Sequence, residues 1–189
     1  MPPLPKFQKE EIIKATMQLT RERGFEAITV RDIAALLGVS TKPIYTVFKS
    51  MDELREALLI ATNEYYQSFV FERMAQYDYP PYKCMGLSYI AFAREERELF
   101  RLLFMRNSDK DGMLDDSTYT EAIESVINGL DLDRSSAELF HCEMWIFVHG
   151  IAVMSATGYL EWDEDTISHM ISDVYAGLVH KHTTEKERM

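Results

Sequence analysis

The side chains best suited to chemistry crowd into one stretch, ITVRDIAALLGVSTKPIYTVFKSMDEL, residues 28 to 54. Within it Thr29, Thr41 and Thr46 supply hydroxyls, Tyr45 a phenol, Arg31 a guanidinium, and Lys42 and Lys49 ammonium groups. These are hydrogen-bond donors and point charges without an adjacent nucleophile–base pair, so they suit recognition of a polyanion. Arg31 has the planar fork that grips guanine O6 and N7 together. Thr29 is placed to open a helix, where its hydroxyl and the first backbone N–H groups would face an anion. Tyr45 and Lys49 would reach phosphates from the periphery.

The elements that must hold these groups are short helices. The first runs from about Lys6 to Arg23, with Ile12, Ile13, Ala15, Thr16 and Leu19 inward, and Gly24 stops it. Thr29 and Asp32 form a capping box for a second helix, whose apolar side is Ile33, Ala34, Leu36 and Leu37. Gly38 ends it, Ser40 caps a third helix, and Pro43 sits in the first turn, where a missing N–H costs nothing. Two short helices joined by LGVS read as a helix-turn-helix, pinned by Val39 and packed through Ile33, Ala34, Ile44 and Phe48. Thr41, Lys42, Tyr45 and Thr46 are then left outward, on a helix of a size the DNA major groove admits. A purely structural hairpin with solvated Thr and Lys has the same spacing.

Net charge at first opposes this reading, because the 189-residue chain carries −11. The charge is unevenly divided. Residues 1–55 hold nine Lys/Arg against seven Asp/Glu, whereas residues 56–189 hold eleven against twenty-four. Such asymmetry predicts two domains with different tasks, 1–55 for DNA and 56–189 for something else. Ser50 and Glu53 open a long fourth helix to about Tyr77, YDYPPY breaks the chain, and further helices follow at about 82–95, 97–106, 117–130, 135–160 and 164–181. Ser135 and Glu138 are read as the box opening the eighth. No stretch alternates as a strand does, so the fold class is all-α with about nine helices. The longest apolar run, Met144 to Gly158, contains His149 and is too short to predict a membrane span, and the N-terminus lacks a signal-peptide pattern. Cys84 and Cys142 are read as free thiols of a cytoplasmic protein.

The stretch GFEAITVRDIAALLGVSTKPIYTVFKSMDEL resembles the DNA-binding domain of the TetR-type (tetracycline-repressor-like) regulators over roughly residues 10–58. Gly-Phe precedes a Thr-x-Arg-x-Ile-Ala helix, followed by Gly-Val-Ser, a Tyr and a Phe three later, and Met-Asp-Glu-Leu stands where the family has Lys-Glu-x-Leu opening the fourth helix. The resemblance implies DNA contacts at Thr29, Arg31, Ser40, Thr41, Lys42, Pro43, Tyr45, Thr46 and Lys49. Met51 stands where the family usually has a phosphate-touching Lys, a role Lys49 is placed to take.

The same resemblance implies that the acidic part is a helical effector-binding and dimerisation domain. A small-molecule effector pocket would be lined by Tyr65, Tyr66 and Phe69 of the fourth helix, by Phe100 and Phe104, and by His141, Met144, Trp145 and Val148. WIFVHGIAVM, residues 145–154, is apolar on all sides except at His149, so both its faces need cover. A second stripe, Ile167, Ile171, Val174 and Leu178, predicts with Ile151 and Met154 a four-helix interface between two copies. W-x-x-x-H-G resembles one subgroup of the family's C-terminal domains. The implied protein is a homodimeric repressor on an inverted-repeat operator in double-stranded DNA, released by a ligand through a tilt of the fourth helix.

Other constellations are weaker. NSDKDGMLDDST, residues 107–118, spaces Asn107, Asp109, Asp111 and Gly112 as a calcium loop does, but Thr118 replaces the closing Glu. Glu138 and His141 make one Glu-x-x-His pair where a di-iron site needs two. Neither a metal, a cofactor, a membrane partner nor an enzymatic activity is expected. The alternatives are a regulator of the same fold that answers to no small molecule or to a protein partner, and a helical enzyme or interaction module with a structural hairpin.

Overall fold

The computed structural model describes residues 8–106, 117–159 and 161–186. The candidate calcium loop therefore lies outside the described residues apart from the backbone at its last two positions. Among the described residues there are nine α-helices and no strand. They are α1 (Lys9–Arg23), α2 (Val30–Leu37), α3 (Thr41–Val47), α4 (Met51–Met74), α5 (Pro81–Glu95), α6 (Arg97–Phe104), α7 (Ser117–Leu130), α8 (Arg134–Thr157) and α9 (Glu164–Lys186). A 3₁₀ turn, Phe25–Ala27, joins α1 to α2.

The helices fall into two compact units. The first combines residues 1–66 with 96–114, so α6 and the first two-thirds of α4 pack with α1, α2 and α3. This division differs from the break at residue 55 suggested by charge, because apolar burial, not charge, decides which helices adhere. Its core joins Ile12, Ala15 and Leu19 of α1, Val30, Ile33 and Ala34 of α2, Ile44 of α3 and Leu54 of α4, with Ile28 and Phe48 between them. Leu36, expected inward, is exposed, and Val30 takes the inner position instead. Gly24 ends α1 with φ 76°, and Gly38 ends α2 in the left-handed conformation at φ 68°, ψ 31°. The Val39 N–H then reaches back to the Ala34 carbonyl at 2.9 Å, closing the turn.

The second unit, residues 67–95 and 115–189, packs α5 against α8, with α7 and α9 on its sides. Leu87, Ile90, Phe92, Phe140, Met144, Ile151, Ile167 and Ile171 are buried in it. Its eighth helix is opened by Asp133, not by Ser135. The Asp133 carboxylate takes the Ser136 N–H at 3.0 Å and the Ser136 hydroxyl at 2.8 Å, and these bonds hold its pKa below the ordinary carboxylate value. α8 is long and apolar enough to span a membrane by length and composition alone, with 39% of its most apolar window buried inside the chain. Its first turns carry Arg134, paired with Glu124 and Glu138, and Glu143, paired with Lys181.

Two glycines separate backbone from packing. A Cβ at Gly38 or at Gly129 of α7 would meet nothing within 4 Å, but only Gly38 is left-handed. Gly38→Ala should therefore lower unfolding free energy by about 1 kcal/mol or more. Gly129→Ala should raise it by roughly 0.5–1 kcal/mol through helix propensity. Denaturant unfolding of both variants checks the pair.

Candidate nucleic-acid interface

The candidate recognition surface is built around the Gly38 turn. Because Ile44 and Phe48 are buried at 1% and 2% exposure, α3 is held by one side, and its other side is fixed outward. Lys42, Tyr45 and Thr46 are exposed there, Thr41 and Pro43 half-buried at its edge. The Thr46 hydroxyl donates to the Lys42 carbonyl at 3.0 Å, leaving its lone pairs as acceptors. Ser40 occupies the N-cap position without a side-chain cap hydrogen bond, so its hydroxyl is available to an outside partner. Lys49 follows the helix, exposed, with its backbone N–H tied to the Glu53 carboxylate at 2.7 Å. Glu53 in turn donates its own N–H to the Ser50 hydroxyl at 3.1 Å, so Ser50 starts α4 as its residue type predicts. The phenol of Tyr45 is 53% exposed, a large exposure for an aromatic on a seven-residue helix.

Thr29 is engaged within the chain. Its hydroxyl donates to Asp32 Oδ2 at 2.6 Å, and its N–H donates to the same oxygen at 2.8 Å. Asp32 also pairs with Arg23 at 3.0 Å. The capping box is thus complete, and the anion at the start of α2 is the chain's own carboxylate. The Thr29 bonds, followed by Arg23, hold the Asp32 carboxyl below the usual carboxylate value. Arg31, two residues beyond Thr29, is exposed and has no ion pair among the described residues. Lys9 of α1 is exposed nearby, its ammonium 5.7 Å from the Phe48 ring centroid.

The residues proposed for an effector pocket divide between the two units. In the first, Tyr66, Phe100 and Phe104 form one aromatic cluster, with centroids 5.1 Å apart for Tyr66–Phe104 and 5.2 Å for Phe100–Phe104. Tyr65 points elsewhere, its hydroxyl donating to Glu96 at 2.8 Å. In the second unit Phe69 packs edge-on against Phe92 at 5.3 Å. Met144 and Val148 are buried, and Trp145, 46% exposed, stacks on His149 at 4.8 Å. Both histidines of α8 share a hydrogen bond with a tyrosine of α5, His141 with Tyr82 at 2.9 Å and His149 with Tyr89 at 2.8 Å. Burial pushes the Tyr82 hydroxyl pKa up and the His149 pKa down, so both are neutral at physiological pH. The signal was present in the spacing, since Tyr82 and Tyr89 are seven apart and His141 and His149 eight apart, one face of each helix.

Of the residues proposed for an interface between copies, Ile151, Ile167 and Ile171 are 4%, 1% and 3% exposed in the single chain. They belong to the interior of the second unit and cannot present surface to a second copy. Met154 remains exposed, and Val174 and Leu178 half-buried. Leu139, Trp145 and Ile146 of α8 are also exposed, at 52%, 46% and 60%.

Comparison with known proteins bears directly on this arrangement. The family described as "Bacterial regulatory proteins, tetR family" matches residues 12–58, the segment from α1 into α4 that contains the turn. "Tetracyclin repressor-like, C-terminal domain" matches residues 83–174. The chain belongs to the TetR family. It is 29% identical over 192 residues to the uncharacterized HTH-type transcriptional regulator YerO of Bacillus subtilis, covering 91% of this chain and 64% of that protein. The chain thus spans somewhat less than two-thirds of that relative's length. Among solved structures, the TetR fold here is similar to a TetR-like transcriptional regulator from Rhodococcus sp. RHA1 at TM-score 0.64 and 18% identity, covering 96% of this chain and 98% of that one. It is also similar to a single-substitution TetR variant from Acinetobacter baumannii in complex with minocycline, at TM-score 0.59 and 17% identity, covering 95% and 98%.

Because Asp32's pKa is depressed in the folded TetR-type head, its contribution is present above the ordinary carboxylate value of 3.8 and lost as pH falls through the lower folded value. Asp32→Ala should therefore be less stable than the parent near neutrality, and the two should converge in acid below that value. Thermal unfolding against pH checks the sign.

Proposed function

We propose that this protein is a cytoplasmic, homodimeric, sequence-specific DNA-binding transcriptional regulator, acting as a repressor that a small molecule releases from an inverted-repeat operator. The observation that carries the DNA reading is the outer face of α3. There Lys42, Tyr45 and Thr46 stand exposed beside Ser40 and Arg31, on a helix fixed by Ile44 and the Gly38 turn. Such a helix presents donors and acceptors to base edges in the major groove. Lys49 and the N-terminal excess of Lys and Arg supply phosphate contacts, while the acidic remainder keeps off the duplex. No enzymatic role is proposed.

A second copy on the exposed residues of α8, Leu139, Trp145, Ile146 and Met154, with Val174 and Leu178 of α9, would set two reading heads about one helical turn, roughly 34 Å, apart. An effector is supported by the aromatic groupings and by the Acinetobacter structure, which holds minocycline. Its release mechanism is linkage: a ligand favouring a wrongly spaced dimer weakens DNA binding by the factor with which DNA weakens the ligand.

Selection of bound sequences from random duplexes by the purified protein, at two salt concentrations, should yield an inverted repeat bound less tightly in high salt. Sequence-blind binding only would sink the proposal. On the selected duplex, Arg31→Ala should cost roughly 1–3 kcal/mol and relax selectivity at one base pair. Lys49→Ala should instead weaken all duplexes alike and reduce the salt slope by about one.

A further inference from the structure

The chain leaves the first unit after Tyr66, inside α4, and returns to it at Glu96, the residue between α5 and α6. Side chains at these two crossings meet on the last turn of α1. Arg21 Nε donates to both carboxylate oxygens of Glu96, at 3.1 and 2.8 Å, and the Tyr65 hydroxyl donates to Glu96 Oε1 at 2.8 Å. The Arg21 guanidinium also lies 4.8 Å over the Tyr65 ring. We propose that Arg21, Tyr65 and Glu96 form a clamp that positions the reading head, by tying α1 to both segments through which the chain enters and leaves the unit. Resting on the DNA-binding reading above, this assigns to α1 and to the residue before α6 a positioning role that the sequence suggested for α4 alone.

Three features separate the clamp from an ordinary surface ion pair, which contributes little. Glu96 is withdrawn from water, its side chain 14% exposed against 37% for Arg21. Its carboxylate receives charge-assisted bonds from two helices, Arg21 of α1 and Tyr65 of α4, so losing one partner leaves it underpaired. The end of α1 also runs close beside it, since a Cβ on Gly24 would stand 2.9 Å from Glu98 Oε2 of α6. Since α1 shares a close-packed core with α2 and α3 through Ile12, Ala15 and Leu19, a displacement of its C-terminal turn carries the recognition helix with it.

The test uses full-length protein, the inverted repeat selected by the parent, the same half-sites with one base pair inserted, and a single half-site. Tyr65→Phe, which keeps charge constant, and Glu96→Gln should each reduce discrimination between the two spacings by about tenfold, within the usual range of coupling between sites. Their affinity for the single half-site should change by less than about twofold, because the reading surface itself is untouched. The charge-exchanged double variant R21E/E96R should recover discrimination lost in either single change. Unchanged discrimination in both single variants overturns the clamp, as does a parallel loss on all three duplexes that tracks a fall in thermal stability. Failure of the parent to distinguish the spacings would overturn the dimeric DNA reading itself, and the clamp with it.

Discussion

The reading head depends on the burial of Ile33 and Ile44 across the left-handed turn at Gly38. Burying a side chain of this kind contributes roughly 1.5–3 kcal/mol. The contact also fixes direction, since α3 has under two turns of its own and an isolated helix that short is not stable in water. Its conformation is a property of the core beneath it. With Ile44 and Phe48 held inward, the outward aim of Lys42, Tyr45 and Thr46 follows from helix geometry.

The caps around that core share a logic. Thr29 at the start of α2 and Ser50 at the start of α4 each accept a free backbone N–H, and the carboxylates of Asp32 and Glu53 reach back to N–H groups ahead of their helices. Asp32 does so while also binding Arg23. An acidic side chain at the start of α2 faces a surface proposed to meet phosphate. Its negative charge is offset by Arg23 and absorbed by Thr29, so it orders the helix end without adding a bare charge to the interface. In the proposed DNA complex Thr29 acts through Asp32, with Arg31 and the residues of α3 as the direct donors.

Much of this was legible in the residues. Gly24, Gly38, Thr29 with Asp32, and Ser50 with Glu53 mark helix ends by chemistry that operates over three or four positions, and the helices fall where those marks stand. Asp133 overruling Ser135 shows the limit, because two neighbouring residues of capping type compete and only the backbone path decides. Leu36 shows another, since an apolar residue on an eight-residue helix can lie past the edge of its buried stripe. The least legible features join distant positions. Glu96 reaching Arg21 cannot be inferred from spacing, nor can the burial of Ile151, Ile167 and Ile171 inside one chain. Periodicity identifies an apolar stripe but not which of two partners covers it.

We propose that the chain meets DNA through α3 and the start of α2. Amide hydrogen exchange of the full-length protein, with and without the duplex it selects, tests this most directly. Binding through α3 should add protection across residues 29–49, with α7, α8 and α9 lacking protection of their own from direct contact. Protection centred on the acidic helices, with residues 29–49 unchanged, would contradict it.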